Sequence, residues 1–363
     1  MESKSGLKAQ AMNNTVNNKR VFLVTPHVPN GYLDILGKRD DVRLDKLDNG
    51  GLTEPAKSVV AAAHAYQTGS TRDELVRHYH TGAELLGHTP NLLIVSTNGA
   101  GYDTVDVKAC TERGILVVNQ SGGNAESVAE HVLAMLLSLV KRVVECDRAL
   151  RAGTLTDRGA FTGREAHGKT IGIVGIGNVG RRVAELCRGL FGMDVLAYDP
   201  YVDADETRRR GARKVELDEL LRGADFVSIN CPLTEETRGM IGGREYARMK
   251  PTAYFITTAR GFIHDETALE AALRDKTIAG AGLDVWEKEP PPTSHPLLKF
   301  GNVLASPHAA GVTHEARANL ARMTAEQILT ALDRKRPPRV LNPEAWEAYA
   351  KRFEEIMGIG VER

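Results

Sequence analysis

Thr170-Ile171-Gly172-Ile173-Val174-Gly175-Ile176-Gly177-Asn178-Val179-Gly180 is the stretch that decides the fold. Its apolar run, Ile171 to Val174, reads as a buried strand and leads straight into G-x-G-x-x-G at Gly175, Gly177 and Gly180. Val179, Val183, Leu186, Cys187 and Leu190 then recur at helical spacing. A second apolar run, 195–198, ends in an acid, Asp199, 19 residues after Gly180. Strand, glycine turn, helix and acid in this order form a dinucleotide-binding βαβ unit. Gly175 permits the tight turn, Gly177 lets the backbone approach a pyrophosphate, and Gly180 lets helix and strand pack closely. Asn178 and Val179 open the helix, where free N–H groups and the dipole favour the pyrophosphate charge. Asp199 can accept hydrogen bonds from ribose hydroxyls and would repel a 2′-phosphate, which favours NAD over NADP.

Working outward, strands are expected at 225–230, 253–258, 279–285 and 302–306, with helical patterns between most of them. Together with the fingerprint they make a doubly wound parallel sheet of about 180 residues. Before it, one long helix is expected over 125–151, ended by Gly153. The N-terminal part offers strands at 20–25, 91–96 and 115–119 and a helix at 105–113, with an irregular, partly helical region up to about residue 90. An amphipathic helix at 316–332 follows the last strand, so the chain is expected to cross back and complete the first domain. Residues 1–19 are polar and lack an apolar segment, and read as a disordered tail.

The chain has 363 residues, 47 basic and 47 acidic, for a formal net charge of zero. That balance gives no electrostatic reason for a nucleic-acid or anionic-membrane partner. The basic clusters at 208–210 and 334–339 are short and read as solvated surface. Four cysteines, Cys110, Cys146, Cys187 and Cys231, show neither C-x-x-C nor metal spacing, as expected of reduced thiols in a cytoplasmic protein. His78 and His80 form H-x-H with His64 upstream, but no carboxylate joins them, and no metal is expected.

Ligands in such sheets bind beyond the carboxyl ends of the strands. Three of the expected strands run into Thr258-Ala259-Arg260-Gly261, Asp284-Val285-Trp286-Glu287-Lys288-Glu289-Pro290 and Ser306-Pro307-His308. An Arg, a Glu and a His would therefore meet at one edge. His suits proton exchange near neutral pH, a neighbouring carboxylate fixes its tautomer, and Arg binds a carboxylate through paired donors. Each residue alone has an ordinary structural explanation; the three at successive strand ends favour hydride transfer at an alcohol or carbonyl carbon.

Over roughly residues 90 to 330 the chain resembles the D-isomer-specific 2-hydroxyacid dehydrogenases. The resemblance runs through Gly99-Ala100-Gly101-Tyr102-Asp103-Thr104-Val105-Asp106, Asn124-Ala125-Glu126-Ser127-Val128-Ala129-Glu130-His131, the fingerprint, Cys231-Pro232-Leu233-Thr234-Glu235-Glu236-Thr237 and the three strand-end stretches, ending at Ala309-Ala310-Gly311. It implies an α/β fold of two doubly wound parallel-sheet domains: a Rossmann NAD-binding domain, 122–311, inserted into a flavodoxin-like substrate domain made of 20–121 and 312–363. It implies hydride exchange between nicotinamide C4 and C2 of a small D-2-hydroxy or 2-keto acid. His308 would be the acid/base, Glu289 its partner (Glu289 rather than Glu287, because the family's acid directly precedes the proline), and Arg260 would hold the substrate carboxylate. Asn98, Gly99 and Ala100 would complete the carboxylate site. Cys231, Pro232, Thr258, Ala259, Arg260, Asp284, His308, Ala310 and Gly311 would line the cofactor beside the fingerprint residues. A homodimer and cofactor-linked domain closure, with crossings at 119–124 and 311–314, are implied too.

Departures leave the substrate open among 3-phosphoglycerate, glycerate, glycolate and lactate. Gly153-Thr154-Leu155 replaces the Gly-x-Trp of many relatives, Asn98 stands where many carry Arg, and only about 30 residues follow the 316–332 helix, too few for an appended regulatory domain. His27, Tyr66, Arg72, Arg77, Tyr79 and His80 are possible pocket contributors. Formate or phosphite oxidation on the same scaffold, and a non-enzymatic NAD-sensing corepressor, are the alternatives.

Overall fold

The computed structural model describes residues 19–24 and 31–362. His27 and the tail expected at 1–19, apart from Lys19, lie outside them. Two compact units form: Ala125–Thr313, and the described residues before and after it.

In the outer unit, β1 (Lys19–Val24), β2 (Val42–Leu47), β3 (Ala65–Thr68), β4 (Ile94–Thr97) and β5 (Leu116–Val118) make one sheet ordered β2-β1-β3-β4-β5, parallel throughout. This is the flavodoxin-like order. Alternate residues feed opposite cores: Val21, Leu23, Ile94 and Leu116 pack with Ala325 and Ile328 of the His314–Leu332 helix, while Phe22, Val24, Val95 and Val117 pack with Tyr66, Tyr79 and Leu85. With helices on both faces, β1 and β5 carry apolar residues at every buried position.

The region expected to be irregular up to residue 90 holds β2 and β3. β2, Val-Arg-Leu-Asp-Lys-Leu, is an edge strand with Arg43 and Lys46 exposed, and β3, Ala-Tyr-Gln-Thr, is fully buried but half polar. Neither shows a plain apolar run. Tyr66 and Tyr79 are corrected from pocket candidates to core. Tyr66 stacks on Phe22 and donates to the Tyr79 carbonyl, and Tyr79 donates to that of Gly51.

In the 125–313 unit, β6 (Thr170–Val174), β7 (Asp194–Tyr198), β8 (Arg213–Lys214), β9 (Phe226–Ile229), β10 (Tyr254–Thr257), β11 (Gly280–Leu283) and β12 (Val303–Ala305) are ordered β12-β11-β10-β9-β6-β7-β8, again all parallel. Counted from β6, strands one to six follow the Rossmann order, with β12 added at the far edge. Ile171, Ile173, Phe226 and Ile256 face the Ala125–Val140 and Asn178–Phe191 helices; Val174, Val227, Ile229, Phe255 and Leu283 face the other layer. The order reverses between β9 and β7 around β6, and the glycine turn leaves β6 at that point.

Two helix expectations need correction. The 125–151 helix is two helices, Ala125–Val140 and Val143–Arg151, because Arg142 takes a left-handed φ of 54° and its guanidinium donates to the Ala160 carbonyl. Leu190 is 64% exposed rather than part of the packed face, which Val183, Ala184 and Cys187 supply.

Candidate active site

The glycine turn is shaped by backbone contacts that tolerate no side chain. Gly175 has φ +90°, and a Cβ there would lie 2.7 Å from the Cys231 nitrogen. A Cβ on Gly180 would lie 2.1 Å from the Gly175 carbonyl oxygen, which is the helix–strand contact the third glycine exists to permit. Gly177 differs: a Cβ there meets nothing within 4 Å. Gly177 also caps the Asn178–Phe191 helix without a side-chain hydrogen bond, so the helix opens onto open space rather than onto its own chain. An anionic pyrophosphate fits that space and that dipole end.

Asp199 follows β7. Its Oδ2 accepts the Ile176 N–H at 3.1 Å and its Oδ1 the Tyr201 N–H at 3.0 Å, so the acid pins the turn it would serve. Each oxygen keeps a further lone pair for a ribose hydroxyl. Cys231 backs the same turn, and burial pushes its thiol up to about 11, which keeps it protonated and inert at neutral pH. These residues fit an NAD dinucleotide.

The strand-end residues gather in the same unit. His308 Nδ1 stands 2.7 Å from Glu289 Oε2, and Glu289 Oε1 accepts the Trp286 N–H at 3.0 Å. Ring and carboxylate are each about a quarter exposed, 27% and 23%. The acid therefore has a fixed rotamer, and Nε2 is the nitrogen left to face a reactant. Glu287 is engaged elsewhere: its own N–H donates to Glu266 at 2.8 Å. His308 itself has φ +55°, a conformation costing a non-glycine residue about 1 kcal/mol, so the surrounding loop must hold it.

Arg260 follows β10 and is half-buried; one arm of its guanidinium donates to the Ala259 carbonyl at 2.7 Å. The neighbouring Gly261 packs against the loop after β11, where a Cβ would lie 2.0 Å from the Trp286 oxygen. That approach brings the Arg260 loop against the segment that carries Glu289. Thr258 is buried, Pro232 accepts a hydrogen bond from Thr237 Oγ1, and Gly311 follows the His308 loop. Asp284 is wholly buried, with both carboxylate oxygens occupied by that loop. The family resemblance implies for it only a place beside the cofactor.

In the other unit, Asn98 accepts the Ser70 hydroxyl at 2.6 Å. The Gly99 carbonyl accepts Thr97 Oγ1 and the Gln120 N–H, and the Ala100 carbonyl accepts Asn119 Nδ2. With the carbonyls tied inward, the N–H groups of Gly99 and Ala100 donate to no acceptor among the described residues. His78 pairs with Glu84, His80 reaches the Arg72 and Leu75 carbonyls, and His64 accepts the Arg20 N–H. Among the described residues no group of His, Cys, Asp and Glu is placed to hold a metal, and no helix is long and apolar enough to cross a membrane. Arg72 and Arg77 are exposed, Arg72 donating to the Asp103 carbonyl.

A family model described as D-isomer specific 2-hydroxyacid dehydrogenase, NAD binding domain, matches residues 133–310. A glyoxylate reductase of Korarchaeum cryptofilum is 43% identical over 265 residues, 72% of this chain and 80% of that protein. A D-3-phosphoglycerate dehydrogenase of Archaeoglobus fulgidus is 40% identical over 275 residues, 72% of this chain and 52% of that protein; the chain thus spans about half the length of this relative. Among solved structures, a glyoxylate reductase from Paecilomyes thermophila has a TM-score of 0.80 at 27% identity, covering 90% of this chain and 99% of that one.

Proposed function

The chain belongs to the D-isomer-specific 2-hydroxyacid dehydrogenases, and we propose that it is an NAD-dependent reductase of a small, unphosphorylated 2-keto acid of the glyoxylate or hydroxypyruvate class. The observation that carries the chemistry is the His308–Glu289 pair at 2.7 Å, on the loops that follow β12 and β11. The choice among keto acids rests on the glyoxylate reductases, whose lengths this chain largely covers.

The bound cofactor would supply a hydride as NADH in reduction and accept one as NAD in oxidation. The protein's part is the proton and the orientation. In reduction, His308 donates a proton from Nε2 to the carbonyl oxygen while Glu289, at Nδ1, stabilises the charge on the ring. In oxidation, neutral His308 takes the hydroxyl proton. Arg260 grips the substrate carboxylate through its planar pair of donors, which fixes the carbonyl oxygen toward Nε2.

Arg260→Lys tests the orienting role. It keeps the charge and loses the paired fork, so kcat/KM for the keto acid is expected to fall by about 10–100-fold, the worth of a charged hydrogen bond. Unchanged kcat/KM in steady-state assays would remove Arg260 from the site.

Homodimerisation is part of the same proposal. The Val143–Arg151 helix buries no residue and leaves Val143 54% and Leu150 63% exposed, with Leu155 at 40% just beyond. An exposed apolar stripe of this kind suits a partner copy. Light scattering should give twice the chain mass, and Val143→Asp with Leu150→Asp should give the chain mass; a monomeric parent would refute it.

A further inference from the structure

The loop that carries His308 is tied down by contacts besides the one to Glu289. The Asp284 carbonyl accepts the His308 N–H at 2.6 Å. Its Oδ1 accepts the Ser306 hydroxyl at 2.6 Å and the Ala309 N–H at 2.8 Å, and its Oδ2 accepts the Ala310 N–H at 2.9 Å. Behind Ser306 stands His131 of the Ala125–Val140 helix, with Nε2 3.0 Å from Ser306 Oγ and 3.7 Å from Asp284 Oδ1. One turn earlier on that helix, on the same face, Ser127 Oγ donates to the Ala310 carbonyl at 2.6 Å.

A hydroxyl has one hydrogen to give. At 2.6 Å from a carboxylate oxygen, the hydrogen of Ser306 belongs to Asp284. Ser306 Oγ can then only accept from His131, so the proton in that contact sits on Nε2. If Nε2 carried a lone pair instead, it would compete for the Ser306 hydrogen and leave a fully buried carboxylate oxygen short of a donor, which is costly.

We propose that His131 is a positioning residue for His308. Its Nε2–H holds Ser306 as a donor to Asp284; Asp284 then grips Ala309 and Ala310; and that grip keeps His308 in the left-handed conformation in which Nδ1 meets Glu289. The inference rests on His308 being the acid/base.

Two readings test it. In the 15N-labelled protein, with the His131 resonance assigned by its loss in His131→Gln, Nε2 is expected to be the protonated nitrogen; an unprotonated Nε2 overturns the proposal. This reading needs no turnover, so it stands apart from the proposed reaction, whose failure would show as a parent enzyme inactive on every keto acid. The second reading is rescue. His131→Phe keeps a ring and removes the donor, and kcat is expected to fall about tenfold, with KM for the keto acid changed less. His131→Gln places an amide N–H near the Nε2 position and should recover most of that loss. Parental kcat in His131→Phe, or equal losses in both variants, overturns the proposal. If His131→Phe does not fold, His131→Gln and the tautomer still decide it.

Discussion

His308→Ala is expected to lower kcat for keto-acid reduction by about 10²–10⁴-fold, the usual worth of a positioned acid/base, while NADH affinity changes little. The asymmetry follows from where His308 stands. Its Nδ1 pairs with Glu289, and the glycine turn and Asp199, which would hold the dinucleotide, are built from other loops. Alanine also changes the backbone preference at a residue with φ +55°. His308→Asn separates the two effects, because Asn tolerates the left-handed region and cannot exchange the proton. Both variants should be impaired alike. Near-parental turnover in either would take His308 out of the chemistry.

The second large effect lies in the fingerprint, where two glycines should fail differently. Gly180→Ala sets a Cβ 2.1 Å from the Gly175 carbonyl. The obstacle is backbone, so no rotamer relieves it and the helix must move away from β6. A loss of about 1–3 kcal/mol of stability is expected, as for other overpacked sites, together with loss of NADH binding. Gly177→Ala has free space around its Cβ and a φ of −73° that any residue adopts. It should melt like the parent and still lose NADH, because the methyl group occupies the pyrophosphate's approach. Thermal melts beside NADH fluorescence titrations distinguish them. Parental NADH affinity in Gly177→Ala would mean that the dinucleotide does not cross the turn there.

Much of the fold was legible because both sheets are buried on two sides. A strand covered by helices on each face must be apolar at nearly every position, and β6, β7, β9, β10 and β12 announce themselves as short apolar runs. The strands that escaped lacked that signature. β2 lies at an edge and carries Arg43, Asp45 and Lys46, β3 hides Gln67 and Thr68 in its interior, and β8 is two residues long. The closing helix, Trp346–Met357, buries only Tyr349 and Phe353 and gives a correspondingly faint pattern. The break at Arg142 could not be read from composition, since it is set by a reach of 18 residues to the Ala160 carbonyl.

The site divides along a similar line. The residues proposed to act through chemistry, Arg260, Glu289 and His308, stand in short stretches directly after strands, and topology alone brings those stretches to one edge. Residues that act through support were not visible as such. Asp284 lies next to β11 in the sequence, but its carboxylate serves backbone amides about 25 residues away. His131 falls at a helical spacing that reads as part of an apolar face, and only the folded chain sets it beside Ser306, 175 residues on. The choice of Glu289 over Glu287 came from family resemblance. The physical difference appears in three dimensions, where Glu287 turns toward Glu266 and the helix it begins.

The measurement that bears most directly on the proposed activity is consumption of NADH by the parent protein with glyoxylate, hydroxypyruvate, pyruvate and 3-phosphohydroxypyruvate, with NADPH in parallel. Turnover is expected with glyoxylate or hydroxypyruvate, faster with NADH than with NADPH, since Asp199 would repel a 2′-phosphate. Demonstrable NADH binding with no reduction of any keto acid would contradict it, and would move the site toward formate or phosphite oxidation or toward a binding role without turnover.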